Sequence, residues 1–269
     1  MTRVCPNPLI PLDFAIVASD LAPPARRERV KNPYSSLPNW LYPSFVVVML
    51  SGFTVYGLWT SLFQGIGQAG PYLSPFFSPP IKLAGIPPAL FVAWAPLSFR
   101  ATCYYYRKAY FRSFFGHPRS CAVPEAKMAI GGGVYKGETA LPWVLNNLHR
   151  YAFYATAIQV VILWYDVTQA FNFKGHFGVG LGTLLMVVNV IMLSGYTFGC
   201  HAFRHLAGGK VDCFSCSAAT RARHKLWKGV SVLNVRHDKW AWASLFTVIS
   251  VDLYIRLLQY GVVQDLRFF

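Results

Sequence analysis

From Leu41 to Phe63 the chain reads LYPSFVVVMLSGFTVYGLWTSLF, with no charged side chain. A helix needs about 20 mostly apolar residues to cross the hydrocarbon of a bilayer, and this run meets that need. Four more segments share the character. One runs from Pro87 to about Phe99 and continues as an amphipathic, tyrosine-rich helix through RATCYYYRKAYFRSFF. The others cover about Leu148 to Phe171, Phe177 to His205 and Trp240 to Val262. The sequence therefore predicts an all-α integral membrane protein with five transmembrane helices in a bundle. The proline-rich stretch from Pro71 to Pro88 separates the first two and cannot be regular helix.

Composition agrees. The chain is 54% hydrophobic and 13% charged, where soluble domains carry about a quarter charged residues. Its net charge of +15 in so apolar a chain points to basic loops rather than to nucleic-acid binding. The basic residues also set the orientation. Five lie before the first helix (Arg3, Arg26, Arg27, Arg29, Lys31), seven after the second and eight after the fourth; the two opposite loops hold only Lys82 and Lys174. The N-terminus is thus expected in the cytoplasm and the C-terminus outside. Residues 1–40 read as a cytoplasmic arm, and 41–269 as the anchor domain with basic cytoplasmic loops at 100–147 and 206–239.

On this map all six cysteines and six of the seven histidines fall at the cytoplasmic side, His176 being the exception. Cytoplasmic thiols stay reduced, so metal binding is expected ahead of disulfides. In GYTFGCHAFRHLAGGKVDCFSC, His201 and His205 share a helix face, while Cys200 points about 100° away on a continuous helix. Cys213 and Cys216 form a CxxC that could hold structural zinc with His205. Asp252 and Arg256, four residues apart on the fifth helix, are expected to neutralise each other. Nothing suggests a hydrolase triad, a phosphate loop or a transporter repeat.

Four motifs in order, TCYYYRKAYFRSFF…CAV, GETALPWVLNNLHRYAFY, GYTFGCHAFRHLAGG and WAWASLF…DLYIRL, resemble the single-chain membrane anchor of actinobacterial, mycobacterial-type (type F) succinate dehydrogenase. The resemblance covers about residues 100–262. It implies a plasma-membrane subunit of respiratory complex II, linking the tricarboxylic acid cycle to the respiratory chain. Its partners would be the flavoprotein and iron–sulfur subunits, membrane lipid and a quinone (menaquinone or ubiquinone), with no nucleic acid.

The resemblance further implies a Rieske-type [2Fe–2S] cluster, held by two Cys on one iron and two His on the other. The expected ligands are Cys103 and Cys121 with His201 and His205, with His237 in reserve, then Cys200 or the Cys213–Cys216 pair. Quinone is expected at His149, Arg150, Tyr104, Arg236 and Trp240. Two readings compete. One is a haem b anchor, for example with haem between His149 and His205. The other, from a different class, is a zinc-stabilised membrane adaptor or transporter.

Overall fold

The computed structural model describes residues 38, 40–80, 88–115 and 144–268. Among them are eight helices: α1 (Leu41–Phe63), α2 (Pro88–Thr102), α3 (Tyr104–Phe115), α4 (Val144–Gln169), α5 (Leu181–Phe198), α6 (His201–Gly208), α7 (Ala218–Val235) and α8 (His237–Gln259). Two short hairpins, Gln68–Ala69 with Tyr72–Leu73 and Asn172–Phe173 with His176–Phe177, turn the chain between long helices. The N-terminal arm and most of the basic segment between α3 and α4 lie outside the described residues. The basic segment 206–239 is built around α7, so much of it is helix rather than loop.

Three described helices are long and apolar enough to cross a membrane: α1, α5 and α8. The other two expected spans fall short for physical reasons. α2 has 15 residues and meets α3 at a one-residue interruption at Cys103. Backbone bonding passes across it, from Cys103 N to Phe99 O and from Arg107 N to Cys103 O. α4 has 26 residues but carries His149, Arg150 and Asp166.

The core lies along α4, α5 and α8, where Val160, Leu163, Val167, Met186, Val190, Val251 and Ile255 pack together. Close approach depends on glycine at two points. A Cβ on Gly195 of α5 would stand 2.5 Å from the Trp240 ring of α8, and one on Gly182 would stand 2.6 Å from Tyr72. Of the FGVGLGT glycines, Gly182 thus packs against a hairpin tyrosine rather than a helix; Gly195, outside that motif, is the small residue that lets two helices close up.

One end of α8 is held by carboxylates. Asp252 is fully buried, takes Arg256 Nε at 2.9 Å and Tyr56 Oη at 2.6 Å, and also accepts from Ser74 Oγ. Asp265 on the C-terminal tail accepts from Tyr72 Oη at 2.7 Å and Tyr254 Oη at 2.8 Å. Burial, together with the negative charge of Asp265, pushes the Tyr72 phenol up to about 12. Two carboxylates from separate segments thus fasten residues 72–74. Further along the same loop, Ser78 O accepts from Gln159 of α4. The pairing expected for Asp252 and Arg256 is present, but it is the centre of a larger clamp.

Candidate functional site

The opposite end of the bundle gathers the chemistry. Two buried thiols, Cys103 and Cys200, belong to one core cluster with Phe99, Tyr106, Phe153, Tyr196 and Ala241. Each stands where a helix is interrupted. Cys103 separates α2 from α3. Cys200 caps α6, its Sγ accepting from Phe203 N at 3.3 Å. The Gly199 carbonyl left by the second break is taken up by Asn234 Nδ2 at 2.8 Å, as a buried helix end requires.

Two histidines, His149 buried and His237 half-buried, join them through a run of rings. His149 stacks on Phe99 (4.6 Å between centroids), Phe99 meets Tyr196 edge-on (5.2 Å), and Tyr196 stacks on His237 (4.9 Å). Thr102 Oγ1 gives its proton to Ser98 O at 2.6 Å and so accepts from His149 Nδ1 at 2.9 Å. That fixes the tautomer and leaves Nε2 as the basic nitrogen. His237 Nε2 lies 3.6 Å from Cys103 Sγ, and its buried Nδ1 has no hydrogen-bond partner. The four donors come from four places in the fold: the α2–α3 junction, α4, the α5–α6 junction and α8.

This set differs from the one the sequence suggested. Cys103 and His237 are here. Cys121 lies outside the described residues. His201 and His205 do come together, Nε2 to Nε2 at 3.0 Å, but on the exposed face of α6. Burial, then His205 and Arg204, lowers the proton affinity of His201 below that of an ordinary imidazole. Cys213 and Cys216 form a disulfide across 5.6 Å between Cα atoms. This corrects the expectation of reduced thiols, and a bonded pair offers no thiolate to zinc. The turn between α6 and α7 brings the two Cα atoms into bridging range.

No three of the described His, Cys, Asp and Glu side chains converge on one ion. A single metal centre needs such convergence. A two-iron cluster shares four donors between two irons, and two thiols with two imidazoles are the donor chemistry it takes. Among the described residues, internal bonding leaves the His237 Nδ1 beside the thiol–imidazole contact without a partner, and the Tyr196 hydroxyl of the same core as well.

Beside the donors opens a lateral apolar groove of about 690 Å³ between α1, α2, α4 and α8. Its polar lining includes Arg100, Tyr106 and Tyr110 from α2 and α3, Ser51, Thr54 and Ser61 from α1, and Thr156 and Gln159 from α4. Arg100 is locked in place: it donates to Tyr106 Oη at 2.5 Å, Ala241 O at 3.2 Å and Ser244 Oγ at 3.0 Å, and lies 4.7 Å over the Tyr196 ring. None of the five residues expected to hold quinone lines the groove. His149 is in the buried ring stack, Trp240 packs under Gly195, and Arg150, Tyr104 and Arg236 are exposed. Arg100 was legible only as a positive charge.

Residues 41–261 match a family model described as actinobacterial succinate dehydrogenase subunit SdhC. The chain is also similar to a solved structure described as the Mycobacterium smegmatis Sdh1 complex in the apo form. That likeness has 36% identity and a TM-score of 0.74, and covers 90% of this chain and 97% of that one. No curated protein sequence matches.

Proposed function

The chain belongs to the actinobacterial succinate dehydrogenase subunit SdhC family, and from that membership we propose that it is the quinone-side membrane anchor of its complex. Its five long segments, α1, α2 with α3, α4, α5 and α8, cross the plasma membrane, with the N-terminus in the cytoplasm. The basic faces of α3 and α7 receive the iron–sulfur subunit, which the flavoprotein subunit supplies with electrons.

The observation that carries the reading is the juxtaposition of Cys103, 3.6 Å from His237, with the Arg100–Tyr106 end of the groove. Cys103, Cys200, His149 and His237 would hold a two-iron cluster of the Rieske kind. When bound, such a group carries single electrons at a potential raised by its histidines. The residues around it have separate tasks. The aromatic rings exclude water. Thr102 holds the His149 tautomer, and Arg100 holds Tyr106 and faces the groove. The groove's apolar walls suit a prenyl tail. The Tyr106 and Tyr110 hydroxyls give their protons to Ala241 O and Ala101 O, so a quinone carbonyl would accept from either only by displacing that bond.

Narrowing the groove tests the quinone placement. Thr156→Trp in the assembled complex is expected to raise the KM for quinone about tenfold or more, by steric loss of apolar binding, with succinate oxidation by an artificial acceptor unchanged. An unchanged KM would move quinone elsewhere. Iron and acid-labile sulfide analysis, with an optical spectrum of the reduced complex, tests the cofactor. Two irons beyond those of the soluble subunits, and no b-type bands, are expected. A strong reduced α band would assign haem instead.

A further inference from the structure

The exposed pair His201 and His205 belongs to a second concavity, apart from the buried donors. With Arg204, Gly208, Gly209 and Trp227 it lines a surface pocket of about 230 Å³ between α6 and α7. The guanidinium of Arg204 is already oriented. Its Nε donates to Ser231 Oγ at 3.0 Å, and its carbon lies 4.9 Å over the Trp227 ring. No carboxylate among the described residues pairs with it; the ion pair found among them is Arg256–Asp252.

The far wall is equally fixed. Arg223 donates to the carbonyls of Leu206, Ala207 and Gly209 and so closes the end of α6. A Cβ on Gly208 would stand 2.5 Å from the Trp227 ring, so glycine is what lets the indole form the wall.

Charge decides the ligand. Two imidazoles four residues apart could chelate a divalent cation. However, Lys210, Arg223, Lys225 and Lys228 surround them in the chain, and Asp212 is the single acid between residues 201 and 237. Such a field disfavours a cation and gathers anions. A planar guanidinium with unengaged outer nitrogens matches the oxygens of a phosphate; of the two imidazoles, which bond each other Nε2 to Nε2, the accepting ring keeps its Nδ1–H as a further donor.

We propose that the pocket formed by His201, Arg204, His205 and Trp227 binds a phosphate group, presented by an anionic phospholipid headgroup or by a soluble phosphate. The site lies beside the membrane end of α5, where basic pockets meet lipid headgroups.

The test uses the whole purified complex. In one arm it is placed in nanodiscs of phosphatidylcholine with or without phosphatidylglycerol, washed in detergent, and its retained lipid counted by native mass spectrometry. In the other, delipidated complex is titrated with inorganic phosphate and followed by ³¹P line broadening. Arg204→Gln and His205→Gln are compared with wild type and with Arg221→Gln, whose side chain bonds only Ser215 O outside the pocket. Removing one charge-assisted partner is expected to weaken binding roughly tenfold or more at Arg204, less at His205, and not at Arg221.

Retention of phosphatidylglycerol without phosphate broadening identifies the lipid; broadening without lipid selectivity identifies the soluble group. Should Arg204→Gln not assemble, His205→Gln carries the same comparison, because its ring is exposed. Equal binding by both pocket variants and wild type in both arms would overturn the proposal. So would zinc binding that both histidine replacements abolish while phosphate fails to bind.

Discussion

At the Asp252 end of α8, carboxylates gather the hydroxyls of Tyr56, Ser74, Tyr72 and Tyr254 and one nitrogen of Arg256, whose outer two nitrogens stay unpartnered among the described residues, and so fasten a loop of the connection between α1 and α2. At the His237 end, thiols and imidazoles sit among aromatic rings with few bonds, and two helices are interrupted at cysteines. Both ends are buried. The difference is what burial demands. A buried carboxylate must be paired, so Asp252 recruits Tyr56, Ser74 and Arg256. A buried thiol or neutral imidazole tolerates an apolar wall, and can be left with a lone pair available for another task.

The comparison is sharpest at its strongest bond. Asp252→Ala leaves Arg256 buried and uncompensated, and is expected to destabilise by about 3–5 kcal/mol, read as loss of assembled complex or a large fall in Tm. Replacing both Asp252 and Arg256 with Leu should recover much of that loss. If the single change proved harmless, the clamp would be decorative. Ser74→Ala removes one of three partners from the same carboxylate, and should cost about 1.5–3 kcal/mol without touching quinone reduction.

Gly195→Ala probes the seam joining the two ends. Its Cβ would meet Trp240 at 2.5 Å, and the overpacking should cost about 1–3 kcal/mol. The smallest structural effect is expected at the other end. Cys103→Ala should cost about 1 kcal/mol of burial, leave the complex assembled and yet abolish quinone reduction. A large fall in Tm with quinone reduction retained would reverse the comparison.

Hydropathy was enough to locate the long helices, because the apolar runs are long and carry few charges. The Asp252–Arg256 pair was visible as an i, i+4 spacing. Its other partners were not, since Tyr56 lies 196 residues away and Ser74 178, and no local pattern encodes such a contact. The sequence holds Cys200 only in reserve for a definite reason: on a continuous helix it faces about 100° from His201, but the helix stops at Gly199 and restarts at His201. The interruption returns the thiol to the core and leaves the histidine pair outside it. His149 was picked out by its depth, but its role depends on the Phe99 stack, which only the fold supplies. The two hairpins have strands of two residues each, too short for periodicity to announce.

The central claim is that the His237 end carries electrons, and electron paramagnetic resonance of the dithionite-reduced complex tests it most directly. A two-iron signal is predicted in the wild-type complex. It should be absent after Cys103→Ala or Cys200→Ala, and altered after His149→Ala or His237→Ala, with the signals of the soluble subunits intact. A two-iron signal unchanged in all four variants, or none in a wild-type complex that reduces quinone, would contradict the account.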